Sequence, residues 1–270
     1  MESLLKVEDV SQRGYVLLGQ NFFEPEITAL ATTVHSGNMS FRHGNQTQAS
    51  NNRFLLFKNL GWSDDKLAII NPEHSDKISW VSMALLNNSP ISISADVLIT
   101  REVNVKLGLA SADCLPVFFN DPSCGTIALA HAGRRGLELD ILHKTLTELI
   151  CSGGDMTRLK IILGPGIHSC CYSFDAAYFQ KYLAPMGWEK FSKKIRNEDG
   201  KITSYNVDLY AQAFQQIARF FQENGLSLQI NNIQKCYQCT SCQGIFFSHR
   251  KIIANSQPEQ RFLSLIVKTS

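Results

Sequence analysis

Residues 111–136 of the 270-residue chain read SADCLPVFFNDPSCGTIALAHAGRRG, and the fold is predicted outward from this stretch. Two apolar runs, CLPVFF and TIALAHA, are rich in β-branched and aromatic residues and flank a cluster of turn formers, NDPSCG. We therefore predict a β-hairpin in which Cys114 opens the first strand and His131 closes the second. Because positions equidistant from the turn face each other in an antiparallel hairpin, both side chains should reach one metal ion.

The spacing of Cys114 and His131 also allows a second interpretation. A cysteine without special surroundings is commonly a small buried hydrophobic residue, and a histidine at a strand end is commonly satisfied at the sheet edge. On spacing alone, the pair is therefore either half of a metal site or two packed side chains.

A helix should follow the hairpin directly. The segment 137–150, LELDILHKTLTELI, has leucines spaced for one helical face, at Leu139, Leu142, Leu146 and Leu149. Arg134 and Arg135 come just before this segment. Both arginines therefore stand at a predicted helix N-terminus, whose free backbone amides favour an anion.

Composition and charge point to an ordinary globular protein. The chain is 44% hydrophobic and 19% charged, and its formal net charge of +2 indicates neither a nucleic-acid footprint nor long-range steering of an acidic substrate. The start, MESLLKVEDV, lacks the pattern of a signal peptide, and no apolar run approaches membrane-spanning length. We expect a cytoplasmic protein with 8 reduced cysteines and with no nucleic-acid or membrane partner.

Three of the cysteines repeat at every third position, at Cys236, Cys239 and Cys242 in KCYQCTSCQG. This spacing resembles part of a zinc knuckle or of an iron–sulfur site, but a fourth ligand is missing nearby. Cys170 and Cys171 could supply that ligand only through the fold. We expect the triplet to be reduced and to carry no metal.

The other segments predict a mixture of strands and helices. Strands are predicted at 14–20, 27–34, 66–70, 77–82, 93–101, 105–111, 158–163, 244–251 and 261–268. Helices are predicted at 51–61 with Asn51 or Asn52 as cap, at 174–183 with Ser173 as cap, and at 206–225. We predict a single α+β domain over residues 1–270, with a largely antiparallel or mixed β-sheet core flanked by helices.

Several motifs together resemble the YfiH-type family, known as laccase-domain or polyphenol oxidase proteins and also described as zinc-dependent purine nucleoside enzymes. The core of the resemblance is ADCLP at 112–116 and AHAGRRG at 130–136, where Arg134 replaces the family's tryptophan. Further matches are ADVLIT at 95–100, LGPGIHSCCY at 163–172, DLYA at 208–211, FFSHR at 246–250, Asn52 with Arg53, and Arg261.

The resemblance implies a metal site formed by His74, Cys114 and His131. The family's third ligand is a histidine in a turn well before ADCLP, and the segment PEHSD offers His74 at that place in the order of the chain. One zinc ion per chain is implied, with copper as the alternative metal. Two imidazoles and one thiolate leave zinc a position for water or substrate, as in catalytic sites.

The implied activities are phosphorolysis of adenosine, inosine, guanosine and methylthioadenosine, and hydrolytic deamination of adenosine. Cys114 and His131, with a zinc-bound water, are the candidate catalytic residues, and the expected partners are purine nucleosides and phosphate. Phosphate requires arginine and backbone amides, so Arg135, Arg53 and Arg250 are the candidate phosphate ligands. We expect a monomer or a homodimer.

The same resemblance makes the loop GPGIHSCC and two phenylalanines candidate walls of the nucleoside pocket. Phe246 and Phe247 can equally belong to the hydrophobic core. Their position in the fold decides between these two interpretations.

Three other functions remain open. A multicopper laccase is disfavoured because the chain has only 7 histidines and none forms a His-x-His pair, although a single copper at the same ligands could give weak oxidase activity. A thiol hydrolase would use Cys114 as nucleophile and His131 as base. A non-catalytic protein would bind a nucleoside without turning it over.

Overall fold

The computed structural model describes residues 13–86 and 90–270. In chain order its strands are β1 Tyr15–Leu18, β2 Ile27–Thr32, β3 Leu67–Asn71, β4 Ile78–Trp80, β5 Ile91–Ser94, β6 Val97–Thr100, β7 Lys106–Ser111, β8 Leu115–Asp121, β9 Thr126–Ala132, β10 Lys160–Leu163, β11 Ser173–Asp175, β12 Ser192–Arg196, β13 Ile202–Val207, β14 Ile233–Lys235 and β15 Phe262–Lys268. Its α-helices are α1 Gln46–Leu60, α2 Met83–Leu86, α3 Arg134–Glu138, α4 Ile141–Cys151, α5 Ala176–Tyr178, α6 Leu209–Glu223 and α7 His249–Ala254.

Two six-stranded mixed sheets form the centre of the described structure. The first has the strand order β1-β2-β15-β7-β3-β5, and the second has the order β14-β10-β8-β9-β6-β4. In both sheets the middle strands pair antiparallel, whereas β3 with β7 and β10 with β14 pair parallel. A small antiparallel sheet, β11-β13-β12, lies outside them. The predicted mixed sheet core with flanking helices is thus confirmed.

The two large sheets pack face to face, and helices cover their outer faces. Successive side chains of a strand point to opposite faces, so Phe118 of β8 lies in the cluster between the sheets with Leu109 of β7. Its neighbour Phe119 lies in the outer cluster with Ile217 of α6. Helix α1 covers the other sheet through Phe57. Fully burying each such aromatic side chain contributes roughly 1.5–3 kcal/mol to stability.

The predicted hairpin is present as β8 and β9, but its register differs from the prediction. Pro116 pairs with His131, so Cys114, just before the strand, lies opposite Gly133 and diagonal to His131. The turn spans residues 122–125 and is centred one position later than direct pairing of Cys114 with His131 would require. Diagonal side chains on one face still lie within reach of each other, so the predicted proximity survives the shift.

Helix α1 begins earlier than predicted. Asn45 caps it by accepting a hydrogen bond from the backbone amide of Gln48 at 3.0 Å. The helix therefore starts at Gln46, ahead of the start predicted at residue 51. Arg53 consequently lies in the middle of the helix, not in its first turn.

The helix predicted to follow the hairpin is split into α3 and α4. Asp140 adopts φ +60 between them, a left-handed conformation that interrupts helical hydrogen bonding. Leu139, next to the break, is exposed, whereas Leu142, Leu146 and Leu149 are buried as predicted. Arg134 and Arg135 thus begin a helix of only 5 residues.

Two further local predictions were wrong. The segment predicted as a strand at 244–251 ends in helix α7, because Ser248 caps that helix by accepting from the amide of Lys251. Ser173, the predicted helix cap, lies in strand β11, and Asp175 caps the short helix that follows. No helix in the described ranges combines the length and the apolar character needed to cross a membrane.

Candidate metal centre

The candidate site forms at an edge where loops from both large sheets meet. Strands β3 and β7 are parallel neighbours, so the loops that follow them leave the same edge of the first sheet. The loop after β3 carries His74, and the loop after β7 carries Cys114. Strand β9 of the second sheet brings His131, its penultimate residue, to the same place. Three residues distant in sequence therefore converge.

His74, Cys114 and His131 place their ligand atoms within 4.8 Å of one another. The two imidazole rings meet edge to face, with centroids 5.0 Å apart. Only glycine fits at position 133 without a steric clash, because a Cβ there would lie 2.7 Å from the Sγ of Cys114. The residues predicted from the sequence thus form one compact cluster, with a glycine as its close neighbour.

A buried carboxylate, Asp96, holds both histidines in place. Its Oδ1 lies 2.8 Å from the Nδ1 of His131 and accepts a hydrogen bond from the backbone amide of His74 at 3.1 Å. Its Oδ2 accepts from the amide of Glu73 and from both the amide and the hydroxyl of Ser75. His74 adopts φ +55, and these hydrogen bonds stabilise that uncommon conformation. With Nδ1 engaged by Asp96, the Nε2 of His131 is left for a ligand.

Sequence reasoning did not single out Asp96 as a functional residue. It lies inside the ADVLIT motif, between β5 and β6, where an aspartate in an apolar run was the available signal. A fully buried carboxylate needs several donors, and those donors come from residues 73–75 and from His131, which only the fold brings together.

The cluster behaves electrostatically as a coupled set of charges. Burial alone would raise the pKa of the Cys114 thiol, but the neighbouring His131 and His74 lower it to about 6. Burial would lower the pKa of His131, and the Cys114 thiolate together with Asp96 raises it to about 9. Burial opposes ionisation of Asp96 as well, yet hydrogen bonds from His131 and Ser75 bring its pKa to about 2. The fold therefore favours the thiolate form of Cys114, the form that binds metals.

The donor set of this cluster fits a metal ion. Two imidazoles and one thiolate are ligands for zinc and also for copper. The carboxylate on the far nitrogen of His131 is the usual outer partner of a metal-bound histidine. Gly133 keeps the space beside the sulfur free of a side chain.

Tyr172 and Arg261 are coupled electrostatically to Cys114. Burial and the nearby Cys114 charge raise the pKa of Tyr172, so its hydroxyl stays protonated. On the side of the C-terminal strand, burial lowers the pKa of Arg261, while Glu259 and Cys114 oppose that effect. Cys114 is therefore coupled electrostatically to a neutral tyrosine hydroxyl and to a guanidinium.

Arg134, which replaces the family's tryptophan, is half-buried and donates to Glu138 at 2.5 Å. Trp188 also donates to this carboxylate, through its indole Nε1 at 2.8 Å. The charge of Arg134 is therefore largely compensated within the chain.

Arg53 is buried, and one of its nitrogens has no partner. Its Nε donates to the carbonyl oxygen of Met39 at 2.8 Å, and its guanidinium stacks on Phe41 with the Cζ 3.9 Å from the ring centroid. The Nη1 atom is buried and finds no hydrogen-bond partner in the described part of the chain. Burial lowers the pKa of Arg53 to about 10. An unpaired buried cationic donor is costly, and an anion would compensate it.

Arg53 lines a pocket of about 150 Å³, and some of the other lining residues are near the metal-cluster residues in sequence. Its wall includes Pro72 and Ala110 at the ends of β3 and β7, and His74 and Cys114 follow in the next loops. Its other walls are Ser40, Phe41, Arg42, His43, Ile69, Ile70, Asn71, Pro90, Ile91 and Ser92. Arg53 is thus placed to meet an anion in this pocket.

The other two candidate phosphate ligands differ in their surroundings. The side chain of Arg135 is exposed on α3 and makes no hydrogen bond or ion pair with the described residues, although its backbone carbonyl accepts from the amide of Leu139. Arg250 donates from Nη1 to the carbonyl of Ser173 at 2.7 Å and stacks near the Tyr172 ring. Its backbone amide donates to Asp113, the residue before Cys114, at 2.7 Å. Arg250 therefore lies close to the cluster, whereas Arg135 faces solvent.

The proposed pocket walls divide between core and site. Phe246 is buried between the sheets against Phe262, with ring centroids 5.2 Å apart, and Phe247 packs on the same core. The loop GPGIHSCC instead packs on the segment around Cys114, because the Ile167 amide donates to the carbonyl of Asp113 at 2.9 Å. The phenylalanines are thus core residues, and only the loop borders the site.

The fold and the cluster define a mixed α/β protein with a His–Cys–His centre, and comparison with known proteins identifies its family. A family described as multi-copper polyphenol oxidoreductase laccase matches residues 26–269, and the chain belongs to it. The predicted family resemblance is thereby confirmed.

Similar proteins are known from several bacteria. Purine nucleoside phosphorylase YlmD of Geobacillus stearothermophilus is 27% identical over 267 residues, which cover 88% of this chain and 90% of the relative. Purine nucleoside phosphorylase Cj1217c of Campylobacter jejuni is 29% identical over 214 residues, covering 78% and 81%. The crystal structure of YlmD superposes with a TM-score of 0.75 at 26% identity, covering 92% and 94% of the two chains.

Proposed function

We propose that this protein is a metal-dependent purine nucleoside phosphorylase that also deaminates adenosine. The observation that carries the proposal is the convergence of His74, Cys114 and His131 on one point, within 4.8 Å. The names of the relatives from Geobacillus and Campylobacter support the class of substrate. The pocket lined by Arg53, which has an unpaired buried nitrogen, supports a phosphate co-substrate.

In this proposal His74, Cys114 and His131 hold one zinc ion, and the same donors suit copper as the alternative. The bound metal supplies a Lewis acid and a water of lowered pKa at its open position. Asp96 keeps the proton of His131 on Nδ1, so that Nε2 remains a ligand. Tyr172, whose pKa is raised by burial and by the charge of Cys114, offers a neutral hydroxyl suited to donating a hydrogen bond to a bound nucleoside.

Phosphorolysis needs an anion held close to the ribose. We assign phosphate to Arg53 in preference to Arg135, because Arg53 lines a pocket and has a buried nitrogen without a partner, whereas Arg135 is exposed. Arg250 is the second candidate because it lies beside Tyr172. The binding of phosphate by Arg135, expected from its position at a helix N-terminus, stays an untested prediction.

The test measures products directly. Purified protein is incubated with adenosine, inosine, guanosine or methylthioadenosine, with and without phosphate, and the products are separated by chromatography and identified by mass spectrometry. We expect free base and the sugar 1-phosphate only when phosphate is present, and inosine from adenosine in either case. The sugar product is ribose 1-phosphate, or 5-methylthioribose 1-phosphate from methylthioadenosine. Nucleoside binding without any product would contradict the proposal.

Cys114→Ala is the decisive variant, because it removes one of the three metal ligands without changing the core of either sheet. It should lose one equivalent of metal and both activities while remaining folded, as circular dichroism would show. Cys151→Ser, at an exposed cysteine, is the matched control. It should keep its full metal content and both activities.

A thiol hydrolase is the second candidate function, favoured by one observation. Cys114, His131 and Asp96 form a chain in which the carboxylate orients the imidazole and the imidazole contacts the thiol. Alkylation separates the two functions, because a metal-bound thiolate is protected until a chelator is added. Rapid alkylation of the untreated protein together with loss of activity would favour the hydrolase.

The copper alternative has its own test. Metal analysis of the purified protein identifies the bound ion, and oxygen uptake on a phenol measures oxidase activity. Copper in the site with oxygen consumption dependent on Cys114 would replace zinc-dependent phosphorolysis as the function of this centre.

A further inference from the structure

Four cysteines outside the candidate metal centre come together in space. Cys170 and Cys171 lie in the loop after β10, and Cys239 and Cys242 lie in the loop after β14. The two strands are parallel neighbours, so both loops leave the same edge of the second sheet. The four sulfur atoms all lie within 4.8 Å of one another.

The remaining member of the sequence triplet is not part of this group. Cys236 is buried, and its thiol lies 3.4 Å from the side-chain oxygen of Gln238. The period of three along the chain is therefore misleading, because Cys236 points into the protein while Cys239 and Cys242 point to the second loop. The missing ligands come from Cys170 and Cys171.

The spacing of the sulfurs suits a single tetrahedral ion. The Sγ of Cys170 lies 3.7 Å from that of Cys171 and 3.8 Å from that of Cys242. With zinc–sulfur bonds of about 2.3 Å, a regular tetrahedron places its sulfurs about 3.8 Å apart. A four-iron cluster inserts several atoms between its cysteines and holds them much farther apart than the 4.8 Å observed. A mononuclear site is therefore the better fit.

The backbone around Cys239 also has the form of a thiolate site. The pair Cys239 and Cys242 has the two-residue spacing common in zinc-binding turns, and Gly244 after it adopts φ +72. The amide of His168 points at the Sγ of Cys239 from 3.5 Å. Backbone donors of this kind stabilise a coordinating thiolate. Cys170 and Cys242 are exposed, which gives a metal ion a path of entry.

We propose that Cys170, Cys171, Cys239 and Cys242 bind one structural zinc ion, in a second site independent of the His–Cys–His centre. Binding forms four zinc–sulfur bonds, releases the thiol protons to solvent and requires no oxidation. This proposal replaces the sequence-based expectation that the cysteine triplet carries no metal.

The ion would crosslink the loops after β10 and β14, which are already joined by hydrogen bonds. Thr240 donates its amide to the carbonyl of Gly166 at 3.1 Å and its hydroxyl to Oδ1 of Asp113 at 2.6 Å. Asp113 adopts φ +79 immediately before Cys114. The cysteine site therefore supports the backbone that presents Cys114, although it does not contact the substrate.

Zinc content per chain tests the proposal, measured by mass spectrometry of the metal on protein purified under reducing conditions. Wild type should contain two equivalents and Cys114→Ala one. The double variant Cys170→Ser with Cys242→Ser should also contain one, because it removes two of the four ligands. It should fold, because both side chains are exposed. Cys151→Ser and Cys236→Ala are the matched controls and should keep two.

X-ray absorption on Cys114→Ala decides the question even if the double variant does not fold. The remaining zinc should show four sulfur neighbours at about 2.3 Å. Nitrogen neighbours, iron in place of zinc, a disulfide among the four cysteines, or an unchanged zinc content in a folded double variant would each overturn the site. The outcome does not depend on whether the protein phosphorolyses nucleosides, because these measurements do not use activity.

Discussion

Replacement of Asp96 by asparagine should weaken metal binding at the His–Cys–His centre. In the wild type, Oδ1 faces the Nδ1 of His131 and the amide of His74, while Oδ2 faces donors from Glu73 and Ser75. An asparagine NH₂ placed toward His131 opposes the Nδ1 proton and drives the imidazole to the tautomer with its proton on Nε2. That tautomer cannot ligate a metal ion through Nε2, the nitrogen that is left for a ligand in the wild type.

The opposite orientation of the amide is also unfavourable. An NH₂ placed toward Ser75 faces a backbone amide that stands 2.8 Å from Oδ2 in the wild type, so the loop that carries His74 must shift. Loss of such an outer partner costs about tenfold to a hundredfold in metal affinity. This corresponds to about 1.4–2.8 kcal/mol. Both orientations therefore lead to the same direction of change.

The assay is competition for zinc against a chromophoric chelator, with circular dichroism to show that the variant is folded. Ser75→Ala is the matched control, because it removes the hydroxyl bond to Asp96 but keeps the carboxylate and its bond to His131. It should lose less affinity than Asp96→Asn. A folded Asp96→Asn protein with wild-type zinc affinity at this centre would refute the reasoning.

Three further outcomes are expected. Arg53→Lys keeps the charge but loses the unpaired Nη1, so the KM for phosphate in inosine phosphorolysis should rise about tenfold to a hundredfold. Arg135→Ala should change this KM little. A larger rise in Arg135→Ala than in Arg53→Lys would favour phosphate binding by Arg135. Gly133→Ala places a Cβ against the Sγ of Cys114, so metal content should fall, and unchanged content would show that the loop relaxes. In metal-free protein, the lowered pKa of Cys114 should keep its alkylation rate high until the pH falls through about 6; loss of rate already near pH 8 would contradict the coupling to His131.

The sequence predicted helices and strands well where their periodicity is strong. Helix α6 has Leu209, Ala213, Ile217 and Phe220 buried, as their spacing predicted. Two of the errors fall at helix ends, where a single side chain decides: Asn45 caps α1 and Ser248 caps α7. A cap depends on one local hydrogen bond, and several polar residues near each end offered one.

The residues of the candidate centre were also found in part from the sequence. Cys114 and His131 were selected by their places in a hairpin, and His74 by its order along a family pattern, and the structure brings the three together. The hairpin register was predicted wrongly because it depends on where the turn is centred. Proximity was nevertheless predicted because diagonal neighbours on one face also approach each other.

By itself, the sequence determined the strands and helices of strong periodicity and which donor atoms are available for a metal. Only the tertiary structure decided which loops meet, because that depends on sheet order: β3 beside β7 joins His74 to Cys114, and β10 beside β14 joins the two cysteine pairs. Asp96 became recognisable only when its donors were in place around it. Local patterns report on contacts a few residues apart, whereas these sites join residues tens of positions apart, held by packing of the two sheets.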